Sequence, residues 1–213
     1  MNKVKPTLLA AIFIAMVFTI SCSSGNRGTF KDGRDGKTYK WVKIGTQVWM
    51  AENLNFKTGN SLCSENDESN CQKYGRLYDW ETAMKTCPDG WHLPSHAEWE
   101  ILVKQADPNA TGDWDNIAGT KLKATTGWID EDTEFVSGTD DLGFSALPGG
   151  RGYPSGISSV GFFGGGGGGS GYWWSATEFN ASSAWARSMN RNVGVERGSN
   201  YKSGLFSVRC LKD

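Results

Sequence analysis

Five cysteines and two histidines carry most of the reactive side-chain chemistry of this sequence, and their spacing sorts them by role. Cys22 stands apart, at the end of an apolar run. Cys63, Cys71, Cys87 and Cys210 form an even set, as expected where thiols are oxidised to disulfides. Four cysteines allow three pairings, and the spacing favours one. Cys63 and Cys71 flank a short polar stretch, Ser64-Glu65-Asn66-Asp67-Glu68-Ser69-Asn70, which reads as a stapled surface turn; Cys87 and Cys210 would then close almost the whole domain. Zinc is the rival use of such residues, but its structural sites rest on closely paired ligands. No Cys-x-x-Cys pair occurs, and His92 and His96 lack suitable partners. Pro94 lies between the two histidines, so they are expected not to share a helical face and to serve structural roles.

Other catalytic patterns are weaker. A Ser-His-Asp site would have to use His92 or His96, and the Gly-x-Ser-x-Gly elbow is missing. Asp130, Asp132 and Glu134 alternate as hard-cation ligands do. An EF-hand loop starting there needs glycine where Phe135 stands, so a solvated acidic loop is the simpler reading. Asp113 with Asp115, and Glu131 with Asp132, are acidic pairs of the kind glycoside hydrolysis uses, with nothing in the sequence to set them across a cleft. The glycine tract Gly164–Gly169 lacks the flanking lysine, serine and helix of a phosphate cradle and reads as a loop tip. The expectation is no enzyme, no metal and no cofactor.

The compartment is written in the N-terminus. Lys3 and Lys5 precede an apolar run from Leu8 to Ile20, and small Ser21 follows, the three parts of a secretory signal. The run is too short for a bilayer span, which takes about 20 apolar residues. Thr19-Ile20-Ser21-Cys22 resembles a bacterial lipobox, with Thr19 departing from the usual leucine-like residue. Residues 1–21 are therefore read as signal peptide, 22–31 as lipidated N-terminus and linker, and 32–213 as a single domain. Ser23, rather than aspartate, follows Cys22, which favours an outer-membrane lipoprotein of the cell envelope. Cleavage leaves 20 of the 22 basic residues against 23 acidic ones, a net charge near −3 without a basic stripe. The membrane is thus an expected partner through the lipid. Nucleic acid, which needs clustered Lys and Arg, is not.

Elements that could position a site follow from local pattern. Tyr39–Ile44 and Gln47–Met50 read as strands joined through Gly45-Thr46, with glycine where a type II′ hairpin requires it. Trp80, Ala83, Met84 and Cys87 recur at helical spacing behind Asp79 as N-cap, and Pro88-Asp89-Gly90 stops that helix. Ser95 and Glu98 form a capping box ahead of Trp99, Leu102, Val103 and Ala106, with Pro108 beyond the end. From Thr111 to Gly171 the chain reads as a long irregular loop, usually functional or flexible in a compact domain. Tyr172–Thr177, Ala184–Met189 and Gly204–Cys210 suggest an antiparallel sheet with its aromatics in the core.

Trp80-x-x-Ala83-x-x-x-Cys87, Gly90-Trp91-His92-Leu93-Pro94-Ser95 and Glu98-Trp99-x-x-Leu102 resemble the two-helix opening of the C-type lectin-like fold. That resemblance implies an α+β domain of two helices, antiparallel sheets and a long irregular loop region. It also implies that the cysteine ending the first helix, Cys87, pairs with Cys210 in the last strand. Asp35-Gly36-Lys37-Thr38-Tyr39, Ile44–Leu54, Gly75-Arg76-Leu77-Tyr78, Gly143–Gly150, Tyr172–Glu178 and Phe206–Cys210 more closely resemble the Fibrobacter succinogenes major paralogous domain family. The family implies export without implying an activity. Calcium-dependent lectins carry Glu-Pro-Asn or Gln-Pro-Asp and Trp-Asn-Asp, where this chain has Leu147-Pro148-Gly149 and Trp174-Ser175-Ala176. Lectin-like fold therefore does not carry lectin chemistry with it.

The expectation is a non-catalytic binding or adhesion module, its ligand a polysaccharide or another envelope protein. A carbohydrate-active or other envelope enzyme and a purely structural lipoprotein are the alternatives. Loops on a rigid frame commonly carry recognition, so Arg151, Tyr153, Phe162 and Phe163 are the expected contacts, as large residues in a glycine-rich loop. Replacing Cys22 with Ala should abolish incorporation of a labelled fatty acid, because the lipid is carried on its thiol. Equal label on both chains would overturn the lipoprotein reading.

Overall fold

Turn chemistry and hydrophobic alternation build the first sheet. The computed structural model describes residues 25–111, 116–128, 138–153 and 169–213. Strand β1 (Arg27–Lys31) pairs antiparallel with β2 (Thr38–Ile44), which turns through Gly45 and Thr46 into β3 (Gln47–Met50). Gly45 has φ +59° while Thr46 stays in the negative range, as a type II′ turn demands. A 3-10 turn (Ser64–Asn66), α1 (Glu68–Tyr74), β4 (Leu77–Tyr78) and α2 (Trp80–Thr86) follow. Next come β5 (Trp91–His92), α3 (His96–Ala106) and the short α4 (Ala118–Leu122). The chain ends in β6 (Gly171–Asn180), β7 (Ser183–Met189), β8 (Glu196–Tyr201), β9 (Phe206–Ser207) and β10 (Leu211–Lys212). One sheet has the order β1-β2-β3-β10-β5 and the other β4-β9-β6-β7-β8, antiparallel throughout except for β6 beside β9. The fold is α+β. Among the described residues no helix is long and apolar enough to cross a membrane.

Two cores form because neighbouring residues in a strand point to opposite faces. Trp173 enters a cluster with Val42, Trp49, Trp99, Leu102 and Phe144. Its neighbour Trp174 enters the other, with Met50, Tyr78, Trp80 and Phe206. Helix α3 supplies the first cluster as its spacing requires, burying Trp99, Leu102, Val103 and Ala106 behind a complete Ser95–Glu98 capping box. Helix α2 is capped by Asp79, whose carboxylate accepts from the Thr82 N–H at 2.7 Å. It stops at Thr86 because Cys87, held extended ahead of Pro88, cannot continue it.

Between the cores lies a buried polar joint. Asn53 Oδ1 accepts from Trp173 Nε1 at 2.9 Å and from Arg209 Nε at 3.1 Å, while Nδ2 donates to the Tyr74 carbonyl at 2.8 Å. The Arg209 guanidinium donates further to the Phe144 and Ser145 carbonyls and lies over the Phe144 ring, 4.2 Å from its centroid. Burial pulls its pKa down to about 9, still above neutral, so the charge is retained. Gly75, at φ +77°, packs where a Cβ would come within 2.7 Å of Asn53 Cβ, which accounts for glycine at that position.

Several local expectations change in the fold. Residues 27–31, read as the end of a linker, are strand β1 and belong to the domain. Met84 is 42% exposed; the buried arc of α2 runs through Trp80, Ala83 and Thr86 instead, and Cys87 lies beyond the helix. The stretch between Cys63 and Cys71 is no bare surface turn, since it holds the 3-10 turn and the start of α1 and both cysteines are buried. The long loop contains α4, and bridges such as Gly150 to Gly171 tie it to the strands. Gly204–Cys210 is not one strand: the chain leaves the second sheet after β9 and enters the first at β10, with Arg209 buried at the crossing. The signal peptide, Cys22 and most of the glycine tract lie outside the described residues.

Both disulfides, Cys63–Cys71 and Cys87–Cys210, are present. They span 8 and 123 residues, for which the chain-entropy relation gives about 2.5 and about 5 kcal/mol. Replacing the long pair with alanines should therefore lower the unfolding free energy well beyond replacement of the short pair. Denaturant titration of the two double variants measures this, and equal losses would show that loop closure is not what the long bridge contributes.

Candidate functional site

The exposed aromatic side chains mark a site. Among the described residues three large aromatics are exposed, Tyr201 at 69%, Phe179 at 51% and Tyr153 at 39%, and all three line one cleft of about 490 Å³. Asn180, Ser182, Ser183, Ser199, Asn200 and Gly204 complete its walls, and buried Phe206 forms part of the lining. No charged side chain lines it.

Each wall has a local cause. The β6–β7 turn is held by Asn180 Oδ1, which accepts from both the backbone N–H and the hydroxyl of Ser182 at 3.0 and 3.2 Å. Register shifts on either side of Glu178 release the end of β6 from regular pairing, and residues 178–180 emerge into solvent. Strand β8 pairs with β7 on one edge, Ser183 opposite Tyr201 and Ala184 opposite Asn200. Two backbone hydrogen bonds between Gly152 and Leu205, at 2.8 and 2.9 Å, bring Tyr153 in from the long loop. Phe206 stacks on Trp174, 4.2 Å between centroids, so the cleft is backed by the second core.

Of the expected contacts, Tyr153 lines the cleft. Arg151 does not; its guanidinium lies 5.6 Å from the Tyr153 ring and 5.0 Å from the Tyr172 ring, backing the aromatic wall. Phe162 and Phe163 lie outside the described residues, as do Asp113, Asp115, Asp130, Glu131, Asp132 and Glu134. Phe179, Tyr201 and the two asparagines were not legible as site residues. Glu196–Tyr201 has no apolar alternation to announce a strand, and Phe179 follows a run of core aromatics.

The histidines serve structure. His92 Nδ1 lies 2.6 Å from Asp213 and Nε2 lies 3.1 Å from Glu98, while the Ser95 hydroxyl donates to Glu98 rather than to a histidine. His96 packs on Trp185 and contacts Arg187, whose guanidinium pairs with Glu100 at 2.6 Å. Lys123 is buried, which pulls its pKa down to about 8, and it donates to the Asn190 and Asn192 carbonyls. Among the described residues a cluster with metal-ligand proximity joins Cys63, Glu68 and Cys71. Its thiols are spent in the disulfide, and Glu68 pairs with Arg76 at 2.6 Å. The residue types gathered in the cleft suit stacking and neutral hydrogen bonding.

The His92 clamp carries a pH dependence. Burial pulls the His92 pKa down, but the Asp213 and Glu98 carboxylates outweigh it and leave it raised. Burial pushes Glu98 up, and its bonds to Ser95 and His92 outweigh that and leave it lowered. A raised histidine stabilises fully below its unfolded value of about 6.5 and loses this as pH rises through its folded value. A lowered glutamate stabilises above about 4.3 and loses this as pH falls through its folded value. The Tm difference between the parent and His92→Gln should therefore be largest near pH 5–6, between the unfolded values of the two groups, and shrink as pH rises through the raised folded value of His92. A difference independent of pH would show that the clamp is not electrostatic.

No curated protein and no solved structure matches the chain. The Fibrobacter succinogenes major domain matches residues 42–212. That span takes in the cleft strands, both disulfides and the Asn53–Arg209 joint, and the protein belongs to this family.

Proposed function

We propose that the protein is a non-catalytic glycan-binding or adhesion module of the bacterial cell envelope, held in the outer membrane by lipid on Cys22. The observation that carries the reading is the cleft, where the exposed aromatics Tyr153, Phe179 and Tyr201 meet Asn180, Asn200 and three serines without a charge. Sugar rings present an apolar C–H face that stacks on aromatic surfaces, and hydroxyls that need paired donors and acceptors. Asparagine side chains supply both a donor and an acceptor, and serines add more. A few polar groups set on an apolar lining is the usual make-up of a small-molecule site. The neutral lining favours an uncharged polysaccharide over an envelope protein.

The scaffold reading is C-type lectin-like. It is supported by α2 and α3 in succession and by the Cys87–Cys210 bond that ties the end of α2 to the chain just before β10. Sugar contact in this cleft would need no calcium ligands. At the positions where calcium-dependent lectins carry theirs, Leu147 and Gly149 offer no ligating side chain, and Trp174 and Ser175 are buried.

The mature chain carrying Cys22→Ser, titrated calorimetrically against neutral polysaccharides with and without EDTA, tests this. Binding should survive EDTA. Tyr201→Ala should weaken it about tenfold, the loss of about 1.4 kcal/mol expected for one stacked ring, and leave Tm within about 3 °C. No binding by the parent, or binding by Tyr201→Ala and Phe179→Ala as tight as the parent's, would overturn the proposal.

A further inference from the structure

Charge along the mature chain is divided sharply. Residues 25–44, which take in β1, its turn and β2, hold six basic side chains against two acidic ones, a net +4. Residues 45–213 hold 14 against 21, a net −7. Both acids of the hairpin are occupied. Asp32 is bound by Arg34 at 2.7 Å, which holds its carboxyl below the usual range, and Asp35 lies 3.3 Å from Lys37.

Register sets the geometry of the remaining cations. Arg27 and Lys31 are four apart on β1 and so face the same way. Thr29 lies between them on that face, and Lys40 stands directly opposite it on β2. All three cations are exposed, although Val42, directly opposite Arg27 on the same face, is buried in the first core and the Arg27 guanidinium lies against Gly143 at the edge of that core. Lys40 approaches Glu52 at 3.7 Å with its own side chain 71% exposed, while Arg27 and Lys31 have no carboxylate within ion-pair distance among the described residues. Strand β1 is also an edge strand, so nothing in its own sheet covers it.

We propose that this face of the β1–β2 hairpin rests on the anionic phospholipid headgroups of the membrane that holds the lipid anchor. The inference rests on the lipidation of Cys22. Four residues separate Cys22 from Arg27, and the five steps between them reach about 17 Å when fully extended, so a lipid in the bilayer would bring the hairpin to the surface without a spacer. Juxtamembrane Lys and Arg are attracted there, each worth about a fivefold gain in partitioning, over a range of about 8 Å at physiological salt. The acidic remainder of the chain would be repelled, which gives the docked domain one orientation and leaves the cleft strands β6, β7 and β8 in the other sheet.

The mature chain carrying Cys22→Ser separates the patch from the anchor, because it cannot be acylated. It should co-sediment with phosphatidylglycerol-containing vesicles at low salt and millimolar lipid. It should not sediment with pure phosphatidylcholine, and binding should fall as salt is raised. Arg27→Gln/Lys31→Gln/Lys40→Gln should reduce the bound fraction at least tenfold, with the melting temperature checked alongside. Lys73→Gln/Lys85→Gln/Lys104→Gln changes net charge equally at exposed sites elsewhere and should leave binding intact. No sedimentation of the parent chain with anionic vesicles, or equal loss in the two triple variants, would overturn the docking face. A failure of fatty-acid labelling at Cys22 would instead overturn the anchor, so the two readings fail separately.

Discussion

The side-chain amide of Asn53 is the joint on which the two halves of this fold depend. Its oxygen takes the indole N–H of Trp173 from the second sheet and Nε of Arg209 from the crossing between sheets; its nitrogen reaches the carbonyl at the end of α1. An amide has donors and acceptors enough for all of these at once. No apolar side chain of similar size can hold a buried guanidinium in place, since an unpaired buried charge costs several kcal/mol. Arg209 in turn fixes the Phe144–Ser145 turn, and through it one wall of the first core. Several of the segments on which the sequence resemblance rests, Glu52-Asn53-Leu54, Gly75-Arg76, Trp173-Trp174 and Ser207-Val208-Arg209-Cys210, converge on this joint. These motifs describe a scaffold.

That scaffold explains where a binding surface can form. Trp173 and Trp174 are spent on the two cores, and the Asn53 joint ties the middle of the second sheet, through Trp173, to Arg209 and the end of α1. The cleft is built at the sheet's margin, from the ends of β6 and β8, the turn between β6 and β7, and one residue of the long loop. Tyr153, Phe179 and Tyr201 lie outside both cores, so they stay exposed. A site at the edge of a rigid frame can vary its walls without disturbing the packing behind them.

Charge adds a direction to this arrangement. The basic hairpin begins five residues after Cys22 and belongs to the first sheet, whereas the uncharged cleft belongs to the second. The proposed anchor and the proposed ligand site thus fall on different sheets, an order that suits a module tethered on one side and binding on the other.

What the sequence determined alone were features encoded within a few residues. Gly45-Thr46 specifies its turn through glycine's freedom at positive φ, and Ser95 with Glu98 caps α3, whose four buried positions follow from helical spacing. The even cysteine count and the short Cys63–Cys71 interval anticipated both bridges. Strands β1 and β8 escaped because edge strands are exposed on much of their surface and need no apolar alternation; only the partner strand defines them. Met84 shows the same limit on a helix, where spacing gives a face but the neighbours decide how wide it is. The cleft joins residues 153, 179–183 and 199–206, and no short segment carries its pattern. Which aromatics are buried and which are exposed was decided by tertiary structure, because the same ring serves either place and only the packing around it chooses.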